Sequence, residues 1–267
     1  MRLLSLHHLV AIEISAAELV KVAAAVGADR VCLFVQSMPG ASDFPLVRPE
    51  DVPEVGRVMQ ATGVTACNLE YFGLASDVDV ENFRPALEIG ARLGATRATA
   101  LAFDADMARL ADHFSQFCEL TPEYGIDASV EFMPLTPLAS FAQAVTLVRA
   151  AGHAGRTIAL DMIHMVRTGG LPSDLTASGP GLIGYVQLCD GPKVATADYR
   201  EEAVHNRMPP GEGEWPLAQF LKQIPPDVPL SVEVPMNRLR DRGVSAVERA
   251  RIAIDAARRL IEAVDGS

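Results

Sequence analysis

Apolar residues recur along this chain with two alternating periods. Short runs in which apolar and other residues alternate fall near 3–9, 30–36, 63–70, 96–102, 127–133, 157–162, 183–189 and 229–234. Between them, near 15–26, 49–61, 79–93, 105–124, 138–151, 172–178, 215–224 and 244–264, apolar residues recur at three and four residues. Period two belongs to a strand, whose side chains alternate between faces; three-and-four spacing marks one face of a helix. The pattern is faintest over 172–178 and clearest at the end, where Val247, Ala250, Ile254, Ala257, Ile261 and Val264 form a single stripe. Ser245 there stands at the cap position, and Glu248 three residues later completes a capping box. Strand and helix alternating eight times predict parallel strands with helical crossovers. The fold expected is therefore an α/β (β/α)8 barrel, a TIM barrel, in one domain over residues 1–267, with helix 244–264 closing against the first strand.

A faint repeat agrees with this. Gly27-Ala28-Asp29-Arg30 and Gly94-Ala95-Thr96-Arg97 each end a helix and open the next strand. Glycine accepts the left-handed backbone at a helix C-terminus without steric cost, so both are expected to be turns at the bottom of the barrel. The longest stretch without periodicity, Asp190 to Glu214, follows the seventh strand and should lie over the C-terminal mouth. It carries Lys193, Arg200, His205, Arg207 and the turn Pro209-Pro210-Gly211-Glu212-Gly213.

Composition narrows the partners. A 267-residue chain that is 49% hydrophobic and 21% charged can bury a sizeable core. A net charge of −11 argues against nucleic acid, whose phosphates are bound by basic surfaces. No uninterrupted apolar run reaches the ~18 residues of a membrane span. The opening Leu3–Val10 stretch holds two histidines and leads to no clean cleavage site, so a cytoplasmic protein is expected rather than a secreted one. Cys32, Cys67, Cys118 and Cys189 are scattered through apolar segments with no Cys-x-x-Cys pair, and are expected to be reduced core thiols. The sequence leaves the oligomeric state open, a homo-oligomer included.

The chemistry lies at the strand ends. In Ser129-Val130-Glu131, Ala159-Leu160-Asp161, Tyr185-Val186-Gln187 and Ser231-Val232-Glu233, an apolar residue separates two that share the other face. With the apolar residues outward, Glu131, Asp161, Gln187 and Glu233 become an inward ring of oxygen donors at one end of the barrel. Three buried carboxylates without a cation would repel one another. Hard divalent ions prefer such a set, whereas zinc more often selects nitrogen or sulfur. The alternative for each residue is an arginine partner or a solvated mouth. In the first half, Ser5 and His7 share one face of strand one, and Asn68 and Glu70 share one face of strand three. If those faces point inward, His7 and Glu70 reach the mouth and can bind substrate hydroxyls. His8 lies on the other face and is expected to be structural, while Asp104 and Asp106 are expected to cap the fourth helix.

These motifs resemble the sugar phosphate isomerase/epimerase group of xylose isomerase-like barrels, over essentially the whole chain. Ser129-Val130-Glu131 resembles the fifth-strand metal glutamate, and Asp161-Met162-Ile163-His164 the Asp-x-x-His whose aspartate binds metal and whose histidine faces substrate. Gln187-Leu188-Cys189-Asp190 resembles the seventh-strand His-or-Gln-x-x-Asp. Arg207 with Pro210-Gly211-Glu212-Gly213 resembles the substrate-contacting Arg…Pro-Gly-x-Gly loop, and Ser231-Val232-Glu233 the last metal glutamate. Many members have histidine where this chain has Gln187, and the amide tilts the expectation to one Mn²⁺ or Mg²⁺. No phosphate clamp is visible. The resemblance implies isomerisation or epimerisation of a small polyhydroxylated α-hydroxy ketone or keto-sugar through an enediolate, with Glu131 and Glu233 moving the proton and His164 and Arg207 binding substrate. Dehydration of a cyclic keto-polyol, of the inosose or 3-dehydroshikimate type, shares the opening step and is the alternative. A hydrolytic, endonuclease-like reading would need further histidines on strands two to four, which are missing. A barrel that only binds sugars or a partner is the non-catalytic alternative.

Overall fold

The computed structural model describes residues 2–37, 44–152, 155–195 and 198–266. Its strands are β1 (Leu4–His7), β2 (Arg30–Phe34), β3 (Thr65–Leu74), β4 (Arg97–Ala102), β5 (Asp127–Glu131), β6 (Thr157–Asp161), β7 (Ile183–Leu188) and β8 (Leu230–Val232). Each pairs in parallel with the next and β8 pairs with β1, closing the eight-stranded barrel that the alternation predicts. The helices are α1 (Ala16–Ala25), α2 (Val52–Thr62), α3 (Arg84–Arg92), α4 (Met107–Leu120), α5 (Phe141–Ala151), α6 (Met162–Arg167), α7 (Pro172–Ser178), α8 (Tyr199–His205), α9 (Leu217–Leu221), α10 (Asn237–Arg240) and α11 (Ala246–Asp265).

The outward strand residues Val130, Leu160, Val186 and Val232 are fully buried in the main core, which lies between barrel and helices. Helix α11 packs against α1, β1 and β8, and its Ser245–Glu248 capping box is formed. Gly27 and Gly94 adopt φ of +70° and +73°, as their place after α1 and α3 requires. Gly90 serves a different need: a Cβ there would stand 2.1 Å from Leu69 Cδ1, so α3 approaches β3 only because the side chain is missing. The cysteines are free and buried. Asp106 caps α4, accepting from the Ala108 and Arg109 amides, and Asp104 pairs with Arg109. His8 is buried, donates to the Ile14 carbonyl and stacks on Phe34.

The structure adds elements that the periodicity does not reveal. Strand β3 continues to Leu74, four residues past the expected end. Helix α6 begins directly after Asp161, whose carboxylate accepts from the Ile163 amide at 3.0 Å and caps it. The aperiodic stretch 190–214 contains α8, capped by Asp198. A helix of seven residues spans two turns and offers at most a faint apolar stripe.

Inside the barrel the side chains are layered. Two positions before Glu131, Gln187, Glu233 and His7 stand Ser129, Tyr185, Ser231 and Ser5, a fully buried layer in which Tyr185 packs with Cys67 and Ala159. Above it lies the charged layer.

Candidate active site

The four predicted ring residues converge at the C-terminal mouth, each brought there by a different strand. Glu131, Asp161 and Gln187 end or nearly end β5, β6 and β7. Glu233 lies one residue past β8, where its amide donates to the Leu188 carbonyl at 2.9 Å and keeps the chain alongside β7. All four are at most 3% exposed.

Their contacts form one continuous chain. His164 Nε2 lies 3.2 Å from Glu131 Oε1 and 3.5 Å from Asp161 Oδ2. Arg207 Nη1 donates to Asp161 Oδ2 at 2.8 Å and lies 3.1 Å from Glu233 Oε1. Gln187 Nε2 donates to Glu233 Oε2 at 2.6 Å and to Glu70 Oε1 at 3.1 Å. His7 Nε2 lies 2.8 Å from Glu70 Oε2 and 3.4 Å from Glu233 Oε2. The Leu9 amide donates to His7 Nδ1 at 3.1 Å, which leaves the ring proton on Nε2 and makes His7 the donor to Glu70. Asn68 donates to Glu70 Oε1 at 2.9 Å. His7 and Glu70 are thus wholly buried behind Gln187 and Glu233, and neither lines the mouth cavity.

Charges are balanced unevenly across this chain. Burial pushes the Glu131 carboxyl up to about 7, although His164 opposes the rise. Burial likewise raises Glu233, against the pull of His7 and Arg207. Burial would raise Asp161 too, but Arg207, His164 and the Ile163 amide outweigh it and hold the group below the usual carboxylate range. Burial disfavours a charged His164, yet Asp161 and Glu131 raise its pKa above the ordinary value.

A cavity of about 300 Å³ opens above this layer. Of the predicted residues, Glu131, His164, Arg207 and Glu233 line it. Tyr199 also lines it, and the sequence reading does not single it out. Its hydroxyl is hydrogen-bonded to His164 Nδ1. Helix α8 is tied to α6 by two such contacts in step: Tyr199 with His164, and, three residues on in each helix, Glu202 with Arg167, whose Nε donates at 2.7 Å. The local signal was Asp198, an N-cap residue followed by Glu201 and Glu202.

Asp190, the last residue of the Gln-x-x-Asp motif, organises the loop instead of facing the cavity. Its carboxylate accepts from the amides of Gly191, Gly211 and Trp215 at 2.8, 2.9 and 3.1 Å. Its backbone bridges to Met208, next to Arg207.

Among the described residues two groups of side chains could hold a metal ion: Glu131, Asp161 and His164, and His7, Cys32 and Glu70. Ligand atoms of Glu131, Asp161 and His164 lie within 4.8 Å of one another. The Gln187 amide, whose nitrogen is engaged by two carboxylates, presents a buried Oε1 with no hydrogen-bond partner among the described residues. A buried acceptor left without a partner is costly, and a cation is a natural one. No helix among the described residues is long and apolar enough to cross a membrane.

The comparisons agree with the architecture. The chain is 21% identical to a xylose isomerase-like TIM barrel/4-hydroxyphenylpyruvate dioxygenase fusion protein, with a TM-score of 0.82 over 98% of this chain. It spans 43% of that protein's length. A structure described as IOLI protein with a bound zinc atom matches at 16% identity and a TM-score of 0.77, over 99% of both chains. A D-psicose 3-epimerase solved in the presence of D-fructose matches at 15% identity and 0.71, over 100% of both. No curated protein matches the chain. At such identities the solved structures speak for the fold alone. The model of the xylose isomerase-like TIM barrel family, however, matches residues 20–263, and the chain belongs to that family.

Proposed function

We propose that the chain is a divalent-metal-dependent isomerase or epimerase of a small α-hydroxy ketone or keto-sugar, acting through an enediolate. The observation that carries this reading is that Glu131 and Glu233, from β5 and the end of β8, face one cavity together with His164 and Arg207. Glu131, Asp161, Gln187 and Glu233 would hold one ion, Mn²⁺ or Mg²⁺ by the preference of oxygen donors. Such an ion, when bound, supplies Lewis acidity that lowers the pKa of the C–H bond between carbonyl and hydroxyl.

The chain's own groups do the rest. One of the two glutamates removes the proton as general base, and the other returns it from the opposite side. Return to the same carbon epimerises; return to the neighbouring carbon isomerises. The Arg207 guanidinium, fixed between Asp161 and Glu233, is positioned to offset charge that develops on a substrate oxygen. His164 orients or protonates an oxygen next to Glu131, and the Tyr199 phenol keeps its ring in place. A phenol hydroxyl both donates and accepts, so it stays bonded to Nδ1 whichever protonation state His164 adopts. His7 and Glu70, expected at the substrate, are better read as bracing Gln187 and Glu233 from behind.

The test is isotopic. Turnover of keto-sugars in deuterated water with Mn²⁺ is expected to place deuterium on the carbon next to the carbonyl. A direct hydride shift, with that carbon unlabelled, would defeat the two-glutamate mechanism. A dehydratase acting on a cyclic keto-polyol is the second reading, favoured by His164 standing 3.2 Å from Glu131 as an acid able to assist loss of a β-hydroxyl. Net loss of water from the product would decide for it.

A further inference from the structure

The mouth cavity is two-sided. Its floor carries the charged groups described above; its wall is formed by Leu9, Phe44, Tyr71, Leu101, Phe103 and Met133. These six belong to a hydrophobic cluster separate from the main core of the barrel. Leu9, Phe44, Phe103 and Met133 are only partly buried, so the cluster is left with apolar surface facing the cavity.

Apart from the exposed Arg200 and the Tyr71 phenol, which stands near the carboxylates of the floor, polar groups elsewhere in the lining are already engaged. The Thr136 hydroxyl donates to the Met133 and Leu138 carbonyls, the Asn237 amide nitrogen to Val204 O, and Tyr199 bonds His164. A ketose carries a hydroxyl on nearly every carbon. Each one buried against this wall without a partner would cost roughly tenfold or more in affinity. A hydrocarbon group would gain from the same contact.

We propose that the substrate is an α-hydroxy ketone whose reacting carbons sit on the polar floor and whose remainder is a hydrocarbon group, a ring or a branched chain, seated on the Leu9–Phe103–Met133 wall. This refines the substrate of the proposed site and rests on its chemistry for the polar end.

Calorimetric titration of the Mn²⁺-loaded protein with α-hydroxyacetophenone and with D-fructose tests it, with C–H deuterium exchange of both followed by NMR. The phenyl ketone is expected to bind at least tenfold more tightly, and Phe103→Ser to lower its affinity at least fivefold while leaving that of D-fructose within twofold. Equal binding, or tighter binding of D-fructose, overturns the proposal. This comparison uses the wild-type protein and stands even if the variant fails to fold. Tight binding of the phenyl ketone without exchange would uphold the hydrocarbon-bearing ligand and sink the proposed reaction. Exchange of D-fructose with no binding of the phenyl ketone would do the reverse.

Discussion

Arg207 joins two strands through one nitrogen: Nη1 lies 2.8 Å from Asp161 Oδ2, at the end of β6, and 3.1 Å from Glu233 Oε1, just past β8. All three side chains are at most 5% exposed, so the guanidinium is a buried countercharge shared by both carboxylates, the principal one for Asp161 and second to His7 for Glu233. Removing one partner of a buried ion pair leaves the other uncompensated, at a cost of roughly 3–5 kcal/mol. Arg207→Leu is expected to destabilise the metal-free protein by that order, with added Mn²⁺ recovering part of the loss. Urea denaturation with and without Mn²⁺ measures it; a metal-free variant as stable as the wild type would show that the pair is not structural.

Glu233→Gln keeps an oxygen donor and removes one of the two proposed proton-transferring carboxylates. Turnover and deuterium exchange are expected to fall by about a thousandfold, within the range for a lost general base, while bound metal stays near the wild-type stoichiometry. Exchange at the wild-type rate would remove Glu233 from the proton-transferring pair.

Glu131→Ala and Asp161→Ala each delete a charged donor from the proposed cage. Metal content after dialysis, by elemental analysis, is expected to drop at least tenfold in both. Chelator should abolish activity of the wild type and Mn²⁺ restore it. Unchanged stoichiometry would mean that the ligands lie elsewhere.

In the proposed mechanism Tyr199 acts through His164, to which its hydroxyl is hydrogen-bonded. Tyr199→Phe is expected to lower kcat about ten- to a hundredfold and shift the pH profile, with metal content unchanged, since the ring loses the bond that fixes its orientation. If kcat and the pH profile both stay put, the phenol does not position His164.

His8 provides a titration away from the cavity. Burial lowers its pKa from 6.5 to about 4, opposed by the bond to the Ile14 carbonyl. Between those values the unfolded chain takes up a proton that the folded one refuses. Stability is therefore fully present above pH 6.5 and is lost as pH falls toward 4, by about 3 kcal/mol in all. Denaturation curves from pH 7 to 4 should flatten in His8→Gln, which can still donate to Ile14 but does not titrate. The same slope in both proteins would assign the acid sensitivity to other groups.

The ring was legible because strand periodicity acts on every residue alike. Val130, Leu160, Val186 and Val232 point outward into the core, and Glu131, Asp161, Gln187 and Glu233 must then point in. Gly27 and Gly94 were legible for a similarly local reason. Tyr199 was not, because a two-turn helix inside a loop leaves at most a faint period to read. Nor was the hydrocarbon wall: Phe103 and Met133 follow strands and look like ordinary core until the closed barrel leaves one side of them facing a cavity. The burial of His7 behind Glu70 depends on a contact across 63 residues of sequence, which no local pattern encodes.

The polar floor and the apolar wall are attached to the backbone differently. The carboxylates and Gln187 sit at strand ends fixed by the pairing of all eight strands. Leu9, Phe44, Phe103 and Met133 sit in the segments that follow β1, β2, β4 and β5. Mutational drift in those segments can reshape what the mouth accepts while the reacting centre stays intact. On the proposed function, a lineage built on this barrel can thus trade one substrate for another in small, individually viable steps, each loop exploring on its own.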